Sequence, residues 1–176
     1  TNALYNALVQ NQGNFGIIPG TAGTPGAGPS IAGGAALGLT KAMFICLPGH
    51  TKIDTHNGPV PIDEVRAGDS ILGGKVLFKS QYAPAETYFV KLSFDDLSSI
   101  ETCDLHLVNG KPAMSYHEGD LVGDKVITTR TDRVSIEHTY DLLTDTPDGG
   151  YVCSGVPVAS MIPLLHKIAQ VLQEVF

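Results

Sequence analysis

The sequence predicts a mostly β domain flanked by two segments of different character. Three observations carry that prediction. Short runs rich in β-branched residues recur between residues 46 and 160, each set off by turn residues. Glycine, proline and alanine crowd the first 45 residues. Apolar residues at helical spacing gather in the last sixteen. The chain therefore divides into an extended N-terminal arm (1–45), a compact β-domain (46–160) and a C-terminal amphipathic helix (161–176).

The arm opens on Thr1-Asn2-Ala3-Leu4-Tyr5-Asn6-Ala7-Leu8, enough for a short helix. It then runs through Gly20-Thr21-Ala22-Gly23-Thr24-Pro25-Gly26-Ala27-Gly28-Pro29 and Ala32-Gly33-Gly34-Ala35-Ala36-Leu37-Gly38. Glycine and proline at this density oppose helix and sheet alike. So few large apolar side chains cannot offset the entropy of ordering the chain. Two readings follow: a flexible linker, or an arm ordered by lying on neighbouring subunits. We adopt the second as the expectation.

Strands are predicted at 51–55, 69–78, 86–93, 98–102, 105–108, 125–129, 134–143 and 150–158. Asn57-Gly58 and Asn109-Gly110 are hairpin dipeptides, because a type I′ turn needs positive φ at both central positions. Asp148-Gly149-Gly150 marks a third turn. Short strands at this spacing suggest a β-roll or barrel-like fold. In the last segment Ser160 is placed to cap a helix and Pro163 fits its first turn. Ile162, Leu165, Ile168, Ala169 and Leu172 form the apolar stripe, extended by Val175 and Phe176. That stripe must be buried against the β-domain or against a partner.

Composition narrows the function. The 176 residues carry a formal net charge of −7, which argues against a general nucleic-acid surface. No apolar run reaches the roughly 18 residues of a membrane span, and no basic-then-apolar leader opens the chain. Three well-separated cysteines are an odd number and do not suggest a disulfide framework. A reducing cytosol is the default compartment. Six histidines accompany those cysteines, but none has the tight spacing of a zinc site, so neither metal nor cofactor is expected.

One block carries chemistry. The apolar run Ala42-Met43-Phe44-Ile45 feeds into Cys46-Leu47-Pro48-Gly49-His50-Thr51-Lys52-Ile53-Asp54-Thr55, followed by Asn57-Gly58 and Val65-Arg66-Ala67-Gly68-Asp69. A second block reads Ile100-Glu101-Thr102-Cys103-Asp104-Leu105-His106, then Asn109-Gly110 and Gly119-Asp120-Leu121-Val122. A third reads His138-Thr139-Tyr140-Asp141-Leu142, then Gly150 through Val158. In this order the blocks, spanning roughly residues 42–161, resemble the Hint superfamily of inteins and hedgehog autoprocessing domains.

The resemblance implies a Hint-type β-fold and a set of roles. Cys46 would attack the Ile45 carbonyl, and His106 would protonate the departing Cys46 nitrogen, leaving a thioester. A thiol acts as thiolate, so a local base or dipole must assist it. The family threonine that supports this histidine maps to Cys103. Thr102 lies one residue too early and so on the opposite face of the strand. Asp141 matches a family position that assists later steps. Where inteins end in His-Asn before Cys, Ser or Thr, this chain has Val158-Ala159-Ser160-Met161. No side-chain amide is present there to cyclise, so splicing is not expected. The β-branched Ile45 also crowds its own carbonyl.

Two functions are carried forward. The first is a structural or assembly protein built on an inactive Hint domain. Its arm, and by one reading its C-terminal helix, would dock on other subunits of a bacteriophage virion (tail, neck or baseplate) assembled in the host cytoplasm. The second is an autoprocessing domain that cuts itself at Ile45–Cys46.

Overall fold

The computed structural model describes residues 46–163. The arm and the helical stripe beyond Pro163 lie outside the described residues. The strands are β1 (Leu47–Pro48), β2 (Lys52–Thr55), β3 (Gly58–Pro61), β4 (Ser70–Ile71), β5 (Gly74–Phe94) and β6 (Ser99–Cys103). Then follow β7 (Leu107–Val108), β8 (Lys111–Pro112), a 3₁₀ turn at Ala113–Ser115, β9 (Leu121–Val122), β10 (Lys125–Thr144), β11 (Tyr151–Cys153) and β12 (Val156–Val158). The mostly β expectation holds, but the scale of the strands differs.

Two strands, β5 of 21 residues and β10 of 20, dominate the molecule. They pair antiparallel from Ile127↔Phe94 to Thr144↔Val76 and form its spine. The sequence suggested four short runs here, because Pro84 and the polar Arg130-Thr131-Asp132-Arg133 interrupt the apolar pattern. Proline lacks an N–H and normally ends a ladder. The register instead passes from Glu137↔Ala85 to Thr139↔Tyr82, so Ala83 and Pro84 sit in a β-bulge opposite His138. The polar stretch stays extended because Phe89 to Leu92 supply its backbone partners.

Two of the predicted runs, 69–78 and 150–158, also break into hairpins. Gly73, at φ +90°, turns β4 back onto the start of β5. Ser154 and Gly155, both at positive φ, separate β11 from β12. Their N–H groups donate to the Asp54 carboxylate at 3.1 and 2.7 Å, which ties the last hairpin to the first. Asn109-Gly110 is the type I′ turn expected, with φ of 47° and 81°. Asn57-Gly58 is not. There His56 and Asn57 fill the loop and Gly58 alone takes positive φ, the pattern of a turn followed by a glycine bulge.

The chain contains the same unit twice. In the first half Gly68 N bonds Val76 O at 2.8 Å, Asp69 N bonds Arg66 O, and the Asp69 carboxylate takes the Arg66 N–H. In the second half Gly119 N bonds Ile127 O at 2.8 Å, Asp120 N bonds His117 O, and the Asp120 carboxylate takes the His117 N–H. Each unit offers a short strand, a hairpin, a Gly-Asp turn and one spine strand. The side chains between the halves form the main core, including Leu47, Ile53, Ile62, Leu92, Ile100, Val122, Ile127 and Leu142. Each such burial contributes about 1.5–3 kcal/mol.

Candidate functional site

Cys46 opens the described chain just before β1, which pairs with β10 at Leu47↔Tyr140. β6 lies against β5 at Phe89↔Cys103, and the Cys103 N–H donates to the Cys46 carbonyl at 2.8 Å. This bond brings the first and second blocks together. Cys46, Cys103, Phe89 and Tyr82 form one enclosed cluster, separate from the main core. Both cysteines are wholly buried.

The third block supplies the wall around the thiol. Thr139 and Asp141 alternate with Tyr140 on β10, so their side chains leave the same face. Thr139 hydrogen-bonds the Cys46 thiol and favours its charged form. That help is outweighed. Burial, then the neighbouring Cys103 and Asp141, push the Cys46 thiol well above its ordinary value. Burial also pushes Cys103 up to about 12. Neither thiol is an available thiolate near neutral pH.

Asp141 is fully enclosed. Its Oδ1 accepts from the Tyr151 hydroxyl at 2.7 Å and the Leu142 N–H at 2.8 Å. Its Oδ2 accepts from the Met161 N–H at 2.7 Å, and the Ile162 N–H also bonds the carboxylate. Burial outweighs these donors and lifts its pKa to about 7. Helical geometry begins at Ile162, so this carboxylate, reaching across from β10, holds the N–H groups of that turn. The cap expected of Ser160 is thus made by another residue. The Ser160 hydroxyl is buried and has no hydrogen-bond partner among the described residues.

His106 is buried beyond β6, held by its N–H to Cys103 O at 3.1 Å. Its Nε2 lies 2.8 Å from the Ala159 carbonyl oxygen, which can only accept, so Nε2 carries the proton. Acid–base work at this ring in its neutral form would fall to Nδ1. The structure therefore packs Cys46 against Cys103 with Asp141 close to both thiols, and places His106 against the closing segment after β12. Ile45, whose carbonyl the proposed attack requires, lies outside the described residues. Thr102 points away, its hydroxyl donating to the Cys103 carbonyl at 3.0 Å.

Thr139, Tyr82 and Tyr151 were not singled out from the sequence. The two-residue step from Thr139 to Asp141 was the available signal, since strand periodicity puts both on one face. Tyr82 stands opposite Thr139 in the ladder, a pairing that only the bulge at Pro84 creates. Among the described residues no group of three metal-ligating side chains comes together.

No protein-family model matches the sequence, and no curated protein matches it either. Solved structures do. The chain is similar to the gp41-1 intein, with a TM-score of 0.53 at 17% identity over 65% of this chain and 98% of that one. A bacterial intein-like domain from Clostridium thermocellum also gives 0.53, at 19% identity over 65% and 97%. A DnaB intein from Synechocystis sp. PCC 6803 gives 0.51, at 16% identity over 65% and 97%. Almost the whole of each intein chain is matched, so the β-domain has the complete intein-type, or Hint, fold.

Proposed function

We propose that this chain is a splicing-incompetent Hint scaffold that keeps its two flanks joined and serves as a structural subunit of a large particle, a bacteriophage virion. The observation that carries the scaffold reading is the state of Cys46. Its thiol is fully enclosed, and burial, Cys103 and Asp141 all oppose its ionisation. At the closing end, Ser160 stands where release of the C-terminal flank would need an asparagine amide. The particle rests on the arm, whose composition gives it no core and leaves contact with other subunits as its source of order.

One arrangement favours a second reading, self-cleavage at Ile45–Cys46. Thr139 bonds the thiol, and Asp141, with a pKa of about 7, stands beside it as a group able to exchange a proton near neutral pH. Sulfur would attack the Ile45 carbonyl carbon, forming a C–S bond as the C–N bond to Cys46 breaks. The thiol proton would leave and the Cys46 nitrogen would gain one, so the step is an isomerisation to a thioester. Water would then release the fragment ending at Ile45.

Two experiments decide. The intact mass of the expressed chain should show one species near 18.5 kDa, unchanged by hydroxylamine, which intercepts thioesters. Cys103→Thr should raise cleavage to a trace at most. Rapid wild-type release of a fragment ending at Ile45, abolished by Cys46→Ala and by His106→Ala, would overturn the scaffold reading. Removing residues 1–38 should leave a soluble domain with an undiminished β-sheet circular dichroism signal, yet abolish incorporation into purified particles. Normal incorporation would remove the arm's assembly role.

A further inference from the structure

The three cysteines of this chain are all buried thiols, and two of them are neighbours. Cys46 and Cys103 are joined by the 2.8 Å backbone bond from the Cys103 N–H to the Cys46 carbonyl. The Cys103 sulfur in turn takes a hydrogen bond from the Cys46 backbone, which sets it beside the Cys46 Cα and within the short reach that a disulfide requires. Their side chains share one apolar cluster with Tyr82 and Phe89, so both point into the same small volume. Each thiol lies close enough to Asp141 to feel its charge, and Cys46 feels that of Cys103. Cys153 belongs to the main core instead, and its charged neighbours are Asp54 and Asp141.

We propose that Cys46 and Cys103 are a disulfide-forming modification site, closed by a peroxide or by a small-molecule disulfide such as oxidised glutathione. The pair loses two electrons and two protons as the S–S bond forms. With hydrogen peroxide, the O–O bond breaks and two waters leave. With oxidised glutathione, a mixed disulfide forms first and two glutathione thiols are released. The inference holds under either functional reading. In a self-cleaving chain the bond removes the attacking sulfur and blocks the thioester. In a scaffold it fastens the start of β1 to β6 across a loop of more than fifty residues. A particle assembled in a reducing cytoplasm and released outside the cell would meet the oxidant only after release.

Burial sets the rate. Both sulfurs are enclosed and held as thiols, so the bond forms only on local opening of β1, a strand of two residues. Oxidation should be slow at neutral pH and faster in mildly alkaline buffer.

The test uses the full chain, incubated with hydrogen peroxide or oxidised glutathione, then alkylated, digested without reductant and mapped by mass spectrometry. The expected product is one cross-linked peptide pair joining Cys46 to Cys103, lighter by two hydrogens and reversed by dithiothreitol. A rise in Tm of roughly 10 °C should accompany it. Cys153→Ala should leave the cross-link intact, and Cys103→Ala should abolish it. Mapping the wild type alone already decides if a variant folds poorly. Linkage through Cys153, oxidation of Cys46 to sulfinic acid without a cross-link, or unchanged thiols after prolonged alkaline exposure would each overturn the proposal.

Discussion

Replacing Arg133 by methionine is expected to cost the domain about 3 kcal/mol, because it strands a buried carboxylate. Glu101 has only 8% of its side chain exposed and is held from both sides. Its Oε1 accepts from Arg133 Nε, and its Oε2 meets His50 Nε2 at 2.5 Å. Arg133 also reaches Glu137 Oε1 at 2.6 Å and lies over the Phe89 ring, 4.5 Å from its centroid. The Glu137 bond is partly exposed and adds little. The Glu101 bond is different. Without the guanidinium, Glu101 keeps only a largely exposed imidazole, and Phe89 loses its cover over the cysteine cluster.

The network also has a position that matters. His50 follows β1, Glu101 is two residues from Cys103, and Arg133 lies on the spine. Its loss should therefore loosen the segment that encloses Cys46. Urea unfolding of wild type, Arg133→Met, Glu101→Leu and the double variant gives the test. The double variant should recover most of the loss, because no charge is then left buried without its partner. Additive costs, or a loss below about 1 kcal/mol for Arg133→Met, would show that solvent already screens this pair.

Much of this architecture was legible from the residues, and the reasons separate cleanly. Cys46 and His106 were singled out through the resemblance alone. The Gly-Asp turns, by contrast, were legible because their chemistry is local: the turn needs its glycine, and the aspartate carboxylate takes the N–H three residues earlier. Asn109-Gly110 was read correctly for the same cause. The spine was misread as short strands, because a strand's length is set by its partner. Pro84 looks like a terminator until His138 is seen alone across the bulge. Ser154-Gly155 likewise looks unremarkable until Asp54, a hundred residues earlier, takes its two N–H groups.

The candidate site was legible only in part. Cys103 was mapped three residues before His106 by the resemblance, and the fold bonds its backbone both to His106 and to Cys46. Ser160 was read as a cap from its position before an apolar stripe. The cap comes from Asp141 because a carboxylate already buried nearby has two acceptor oxygens to satisfy. Thr139 and Tyr82 depend on a register that no local pattern encodes.

That same carboxylate gives the second large effect. Asp141→Ala should cost upwards of about 3 kcal/mol, since four buried donors (the Tyr151 hydroxyl and the N–H groups of Leu142, Met161 and Ile162) lose their acceptor. The milder Asp141→Asn exposes the sign of the pH dependence. In the folded chain Asp141 titrates at about 7, against about 3.9 when unfolded. Between these values the folded state holds a proton that the unfolded state has released. Stability from this group therefore falls as pH rises through that window and levels off above it, a change on the order of 4 kcal/mol in full. Asp96, Asp132, Glu137 and Asp148 have lowered values and act in the opposite direction. Only the difference between wild type and Asp141→Asn isolates Asp141. The cost of that substitution should be greatest near pH 4 and should shrink steadily toward pH 8. A cost that grows with pH would mean that the four donors prevail over burial and that the site holds a carboxylate anion beside Cys46. The Cys46 thiol would then be held still more firmly in its protonated form.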